Sequence, residues 1–296
     1  GVRAITIGAL LIAASASSCG PTGSADRSDA ASPTPSDVGE EVEYLGPLRF
    51  DWPTDCVVQV RESIRKNGDE VELRYSIQLH RLDDGLRLTF LNTQADSVNG
   101  VELTAEQQAE VAGQFTYPWM RVEGGEQPDL LEVGRWDALA ERAGAAELPD
   151  GFMQQIAFNY MDLAWTAWVW MWAGVTIDAI EISPYRADEL DPAAETSFRS
   201  LPAPPGLARL SLDTNKDGAE ALASFADELG QGRQLDIENA EIVFAERVEA
   251  LTDPKNLRPI DVRLDRRMTG EADGERLDLA RSNHWTFDWE GSNCPA

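Results

Sequence analysis

The stretch DTNKDG, Asp213 to Gly218, sets Asp213, Asn215 and Asp217 at alternate positions ahead of a glycine. That is the opening D-x-N-x-D-G of a calcium loop, where oxygen ligands wrap a hard cation and the glycine allows the sharp turn. The twelfth position, which in an EF-hand carries a bidentate glutamate, is Ser224, and Glu220 is the nearer substitute. The competing account is a strand-to-helix turn in which Asp217 caps GAEALASFADEL. His80 and His284 are the only histidines, each on the polar side of an alternating segment with no ligand partner at metal spacing. No G-x-S-x-G and no glycine-rich phosphate loop occurs. Among 52 acids no hydrolytic pair stands out. The chain reads as non-enzymatic, with calcium at Asp213, Asn215 and Asp217 as the sole cofactor candidate.

Strand-like alternation brings four charges onto faces that are otherwise apolar. Glu62 shares a face with Val58, Val60 and Ile64, and Glu246 interrupts Ile242, Phe244 and Val248. Arg266 interrupts Ile260, Val262, Leu264 and Met268; Arg281 interrupts Leu277, Leu279, Trp285 and Phe287. An unpaired buried charge is very costly, so these side chains must pair, reach a cavity mouth or sit beyond a bulge. One outcome is ion pairing between strands. The other is a polar patch in which Arg266 and Arg281 meet an anionic head group.

MDLAWTAWVWMWAGV, Met161 to Val175, gathers Trp165, Trp168, Trp170 and Trp172. Gln155, Asn159, Asp162 and Thr166 form one polar stripe at helical spacing, and Met161, Trp165, Trp168 and Trp172 repeat that spacing on another face. Trp168, Trp170 and Trp172 also suit a strand. Gly174 as a C-cap before VTIDAIEI favours helix followed by strand. After Thr166 no polar position remains, which predicts that this end is enclosed all round. Three roles compete for the tryptophans. They are packed core, or Trp165, Trp168 and Trp172 line an apolar ligand cavity, or they face a membrane or a partner.

The elements that would position these residues fall into three blocks. CVVQVRESIRK, EVELRYSIQLHRL and LRLTFLNTQ alternate apolar and polar residues and are separated by the turn signals NGD and DDG. AEIVFAERVEAL, IDVRLDRRM and ERLDLARSNHWTFDW behave alike, with a turn at ADG. Between them TAEQQAEVAGQF opens with a Thr-x-x-Gln capping box, Thr104 and Gln107. RWDALAERAGAA and the tryptophan stretch extend the helical pattern. Pairing of the first and last blocks would bring Cys56 beside Cys294. A bridge there closes nearly the whole domain, nominally worth ~4–5 kcal/mol in the chain-entropy model.

The net charge is −27, and of the basic residues only Lys66, Lys216 and Lys255 are lysine. Such a surface repels phosphate backbones, so nucleic acid is not an expected partner. Residues 1–18 carry Arg3, the apolar run Ala4 to Ala14 and small residues, the layout of a secretory signal. The run is shorter than the ~20 residues of a spanning helix. ASSC, Ala16 to Cys19, resembles the lipobox of bacterial lipoproteins, with Ala16 where that pattern prefers leucine. The resemblance implies acylation of Cys19 and, with Gly20 in place of a retention aspartate, an outer-membrane address. ASA, Ala14 to Ala16, instead suits a freely secreted product. With Cys19 lipidated, Cys56 and Cys294 remain as an even pair in an oxidising compartment. Residues 19–41, rich in Ser, Pro, Asp, Gly and Ala, read as a disordered tether reaching roughly 25 Å.

With ASSC, two meanders around a helical middle, and ALTDPKNLRPIDVRL (Ala250 to Leu264), the layout resembles the periplasmic lipoprotein-carrier and mycobacterial-type lipid-binding lipoproteins. That resemblance implies an α+β fold: a curved, half-barrel-like antiparallel sheet over residues 42–296, with a helical insertion at about 104–174 on its concave face. It also implies a membrane-tethered envelope lipoprotein that binds a lipid or other amphiphile. The other functional class is a structural or protein-interaction module with a filled core and no ligand.

Overall fold

The computed structural model describes residues 47–54, 56–114, 119–134, 161–177, 194–217, 241–272, 275–290 and 294. The signal-like segment, Cys19, the tether, RWDALAERAGAA, Gln155 and Asn159 lie outside them. The alternating segments form strands where the pattern places them. The first block gives β1 (Val57–Lys66), β2 (Asp69–Leu82) and β3 (Gly85–Val98), extended by a short β4 (Val101–Glu102). A helix α1 (Ala105–Gln114) and two short strands, β5 (Trp119–Val122) and β6 (Leu130–Val133), follow. The chain then supplies β7 (Glu195–Leu201), β8 (Ala208–Asp217), β9 (Glu241–Asp253), β10 (Arg258–Ala272) and β11 (Glu275–Asp288).

All eleven strands belong to one antiparallel sheet, in the order β6-β5-β3-β2-β1-β11-β10-β9-β8-β7, with β4 against β3. The turns explain the register. Asn67 and Gly68 have φ of 51° and 97°, the two left-handed positions of a type I′ turn, and set Lys66 opposite Asp69. Asn99 and Gly100, with φ of 51° and 72°, do the same between β3 and β4. The Asp-Pro turn after Asp253 returns the chain into β10, where a bulge between Pro259 and Asp261 shifts the pairing. The two meanders join through β1 and β11, in which Val60 faces Phe287 and Glu62 faces Trp285. This seam carries Cys56 to Cys294, and the disulfide forms with Cα atoms 4.9 Å apart. At the start of α1 the capping box is reciprocal. Thr104 N donates to Gln107 Oε1 at 3.0 Å, and Gln107 N to Thr104 Oγ1 at 3.4 Å.

One face of the sheet is polar and the other is buried. Val58, Val60, Glu62 and Ile64 of β1 point inward, as do Val71, Leu73, Tyr75 and Ile77 of β2. The tryptophan stretch covers this face. Residues 161–165 are α-helical and lead into a π-helical turn, Thr166–Trp170. Gly174 then ends the element at φ 78°, its N–H donating to Leu48 O at 2.7 Å, while Leu48 N donates to Val175 O at 2.9 Å. Residues 48–52 thus lace the turn to the sheet. Trp165, Trp168 and Trp172 are 0 % exposed. The enclosure predicted after Thr166 holds at Ala167, Trp168, Val169, Trp172, Ala173 and Val175 but not all round, since Trp170 and Met171 are only partly buried.

Two expectations are corrected. The fold is not α+β with a central helical insertion: among the described residues strand makes up 64 % and only two short helical segments occur. Within 104–174 the described chain contributes β5 and β6 to the sheet beside β3. WMRV and LLEV are too short to show a period of two, so a helical neighbourhood masked them. The tryptophan element is also not a regular α-helix. Its ring positions are set by the wider π turn, with Met171 N donating to Thr166 O at 3.1 Å.

Candidate functional site

The tryptophans expected either to fill a core or to line a cavity are packed against protein. Trp165 meets Phe50 and Trp52 edge to face at 5.1 and 5.7 Å between ring centres. Trp168 meets Trp285 and Phe287 of β11 at 5.8 and 5.2 Å. Trp172 lies against Phe198 of β7. The indole N–H of Trp165 donates to Pro128 O at 2.6 Å and that of Trp172 to Ala167 O at 2.8 Å. Trp170, half-buried, donates to Asp129 Oδ1. Trp168 and Trp285 are exceptions: both bury an indole N–H that has no acceptor among the described residues.

Of the four inward charges, Arg266 and Glu246 pair across strands, while Glu62 and Arg281 are held through Asn283. Arg266 and Glu246 stand opposite each other on β10 and β9, and Arg266 Nε donates to Glu246 Oε2. Arg266 also faces Arg281 across β10 and β11, and Arg281 Nε donates to Asn283 Oδ1 at 3.1 Å. Asn283 Nδ2 donates to Glu62 Oε1 at 3.1 Å, and Tyr75 Oη donates to Glu62 Oε2 at 3.1 Å. Glu62 is 1 % exposed, so the low-dielectric core strengthens each of these bonds. Asp162 lies exposed on the covering segment, yet the crowding protein raises its carboxyl above the usual aspartate range, opposed by Arg266. Asn283 was absent from the sequence reading, although it sits at the inward position between Arg281 and Trp285.

Asp213, Asn215 and Asp217 do not form a loop. They occupy β8, an extended strand in which alternate residues stand ~6.5–7 Å apart and cannot wrap a cation. Asp213 instead receives Arg247 Nε at 2.6 Å and also Arg199. These hydrogen bonds, Arg247 first, hold its carboxyl below the ordinary range. No cluster of three metal-ligating side chains occurs among the described residues. The turn-and-helix account of Asp217 concerns residues outside the description.

A groove of about 740 Å³ opens instead where Arg65, Arg247 and Arg267 converge. They stand on the polar face of the sheet, one residue out of phase with the inward row. Arg267 on β10 is flanked by Ala245 on β9 and Ala280 on β11. Two methyl groups in place of long side chains leave the hollow. The next row runs Asp213, Arg247, Asp265, Ser282, Arg65 and Glu70 across six strands. Carboxylates orient all three arginines: Arg65 Nε on Glu70 at 2.6 Å and Arg247 Nε on Asp213 within this row, and Arg267 of the neighbouring row bidentate on Asp278 at 3.1 and 3.0 Å. Glu70 is held below its ordinary range by Arg65 and then Ser63, and Asp278 by Arg267. Asp265 makes no hydrogen bond or ion pair among the described residues. Arg266 and Arg281, the arginines expected to read a head group, adjoin this groove only from the inward row, where their guanidinium groups engage Glu246 and Asn283. The signal for its outward residues was the alternation itself, read on the wet face.

No family model matches the chain, and no curated protein matches it. Among solved structures, one of lipovitellin described as "Lipid-protein interactions in lipovitellin" matches at 8 % identity and a TM-score of 0.38. The match covers 83 % of this chain and 26 % of that one, so the chain spans about a quarter of that protein's length. A likeness this distant does not set fold or function.

Proposed function

We propose that this chain is an envelope lipoprotein, acylated at Cys19, whose β domain is a non-enzymatic binding or interaction module with a filled apolar face. The observation that supports the filled face is the complete burial of Trp165, Trp168 and Trp172 against Phe50, Trp52, Trp285, Phe287 and Phe198. Ring-on-ring packing of this kind leaves Trp165, Trp168 and Trp172 no free surface for an acyl chain. The tether of residues 19–41 would hold the domain off the membrane.

Two measurements test the reading. Cys19→Ser should move the protein from the membrane fraction to the soluble one, since only the thiol takes the acyl groups; retention on the membrane, with no uptake of labelled palmitate by wild type, refutes the anchor. Envelope lipid extracts should leave the thermal midpoint of the folded domain unchanged. A saturable rise would mean that lipid binds the native state by mass action, and would favour the amphiphile carrier over the filled module.

A further inference from the structure

We propose that the groove around Arg267 binds a small zwitterion, an oxyanion with an amine beside it, of which phosphoethanolamine is the type. This goes beyond the reading above and holds with or without the anchor. The groove's 740 Å³ lies within the ~300–1,000 Å³ span of small-molecule sites. Three guanidinium groups reach it from β1, β9 and β10. Their carboxylate partners engage Nε of Arg65, Nε and Nη2 of Arg247, and Nε and Nη2 of Arg267. Both Nη atoms of Arg65 and the Nη1 atoms of Arg247 and Arg267 make no hydrogen bond among the described residues. Planar donors fixed by their own acids are pre-organised for phosphate or carboxylate oxygens.

Asp265 decides between a plain anion and a zwitterion. It stands between Arg247 and Ser282 in the register, inside the groove, hydrogen-bonded to neither, and shares the field of Arg247 with Asp213, which holds that guanidinium by direct hydrogen bonds. A second negative charge there repels a simple anion, whereas an ammonium group a few ångströms from the bound oxyanion meets it. The Ser282 hydroxyl and the Asn215 amide border the same space and offer further polar contacts. A sugar is a poorer fit, because no aromatic residue lines the groove among the described residues.

The full chain should be titrated calorimetrically with phosphoethanolamine and with inorganic phosphate. Phosphoethanolamine should saturate and bind ~10-fold or more tightly than phosphate. Asp265→Asn should bring the two ligands within ~3-fold of each other, and Arg65→Ala should weaken both. Arg65 is 65 % exposed and Asp265 is exposed, so both variants should keep the wild-type unfolding midpoint, which is measured alongside. No saturable heat with either ligand overturns the site. An unchanged preference in Asp265→Asn overturns the zwitterion. Flotation of full-length Cys19→Ser protein on phosphatidylethanolamine vesicles, against phosphatidylglycerol vesicles, separates the sources. Co-flotation assigns a membrane head group, and soluble binding without it assigns a free zwitterion; either supports the groove's chemistry.

Discussion

Trp168→Ala removes the ring at which the π-helical turn meets β11. Trp168 is 0 % exposed and sits edge to face on Trp285 and Phe287, at 5.8 and 5.2 Å. Truncating a buried aromatic residue typically costs ~3–5 kcal/mol, of which each ring pair accounts for ~0.5–1.5 kcal/mol. One effect opposes this loss. The Trp168 indole N–H is buried without an acceptor among the described residues, and an unsatisfied buried donor costs the native state ~1–3 kcal/mol. Alanine relieves that cost, so the expected net loss centres near ~2 kcal/mol within a span of ~0–4 kcal/mol. For a domain of this size the midpoint should fall by roughly 4–8 °C. Trp168→Phe keeps most of the packing and also removes the orphan donor, so it should lose much less. The assay is thermal unfolding followed by near-ultraviolet circular dichroism, repeated in urea to confirm an unchanged slope. A Trp168→Ala midpoint within ~2 °C of wild type would refute a filled and tightly packed face. The single variant is preferred because Trp168→Ala with Trp172→Ala approaches ~6–10 kcal/mol, comparable with the whole stability of a domain.

Three further outcomes are expected. Glu62→Gln sets an amide N–H₂ against Tyr75 Oη or Asn283 Nδ2, both of which donate to the carboxylate; urea unfolding should show a loss of ~1–3 kcal/mol, and equal stability would disprove the assigned donor directions. Replacing Cys56 and Cys294 together by serine opens a closure of sequence separation 238 and should cost on the order of 2–5 kcal/mol, read as a lower urea midpoint that reductant no longer changes. Asp213 has its folded pKa lowered by Arg247 and Arg199 from the ordinary 3.8. Its stabilisation is therefore present above that value and lost as pH falls through the folded one. Asp213→Asn should flatten the acid limb of stability below about pH 4, and an unaltered limb would show that the carboxylate contributes nothing there.

Much of the sheet was legible in local chemistry. Asn67-Gly68 can adopt two left-handed residues in succession, and Val71 to Leu79 alternate strictly, so a hairpin with one wet face follows from the chain alone. The Thr104–Gln107 capping box and the Gly174 terminus are equally local, because each satisfies backbone groups within a few residues. The inward charges at Glu62, Glu246, Arg266 and Arg281 were visible as breaks in alternation, since a period of two assigns every strand residue to a face. Asn283, on that same face, was overlooked because an uncharged residue breaks the pattern less loudly.

Other features required the assembled sheet. Asp213, Asn215 and Asp217 fit a calcium loop or a strand equally well as a string of residues; pairing of β8 between β7 and β9 extends them and gives Asp213 to two arginines. β5 and β6 are four residues each; the free edge of β3 makes β5 a strand, and β5 in turn pairs with β6. The tryptophan stretch carried a helical period, but its turn is π-helical and its rings are seated by β7, β11 and residues 50–52. The groove is wholly tertiary. Arg65 and Arg267 are distant in sequence and meet because β1 pairs with β11 and β11 with β10, and Ala245 and Ala280 open the space only once they flank Arg267. Sequence by itself determines which face each residue of a strand presents, because that depends on neighbours one and two positions away. Which residues then share a hollow depends on strand order and register, and those are decided by contacts between segments far apart in the chain.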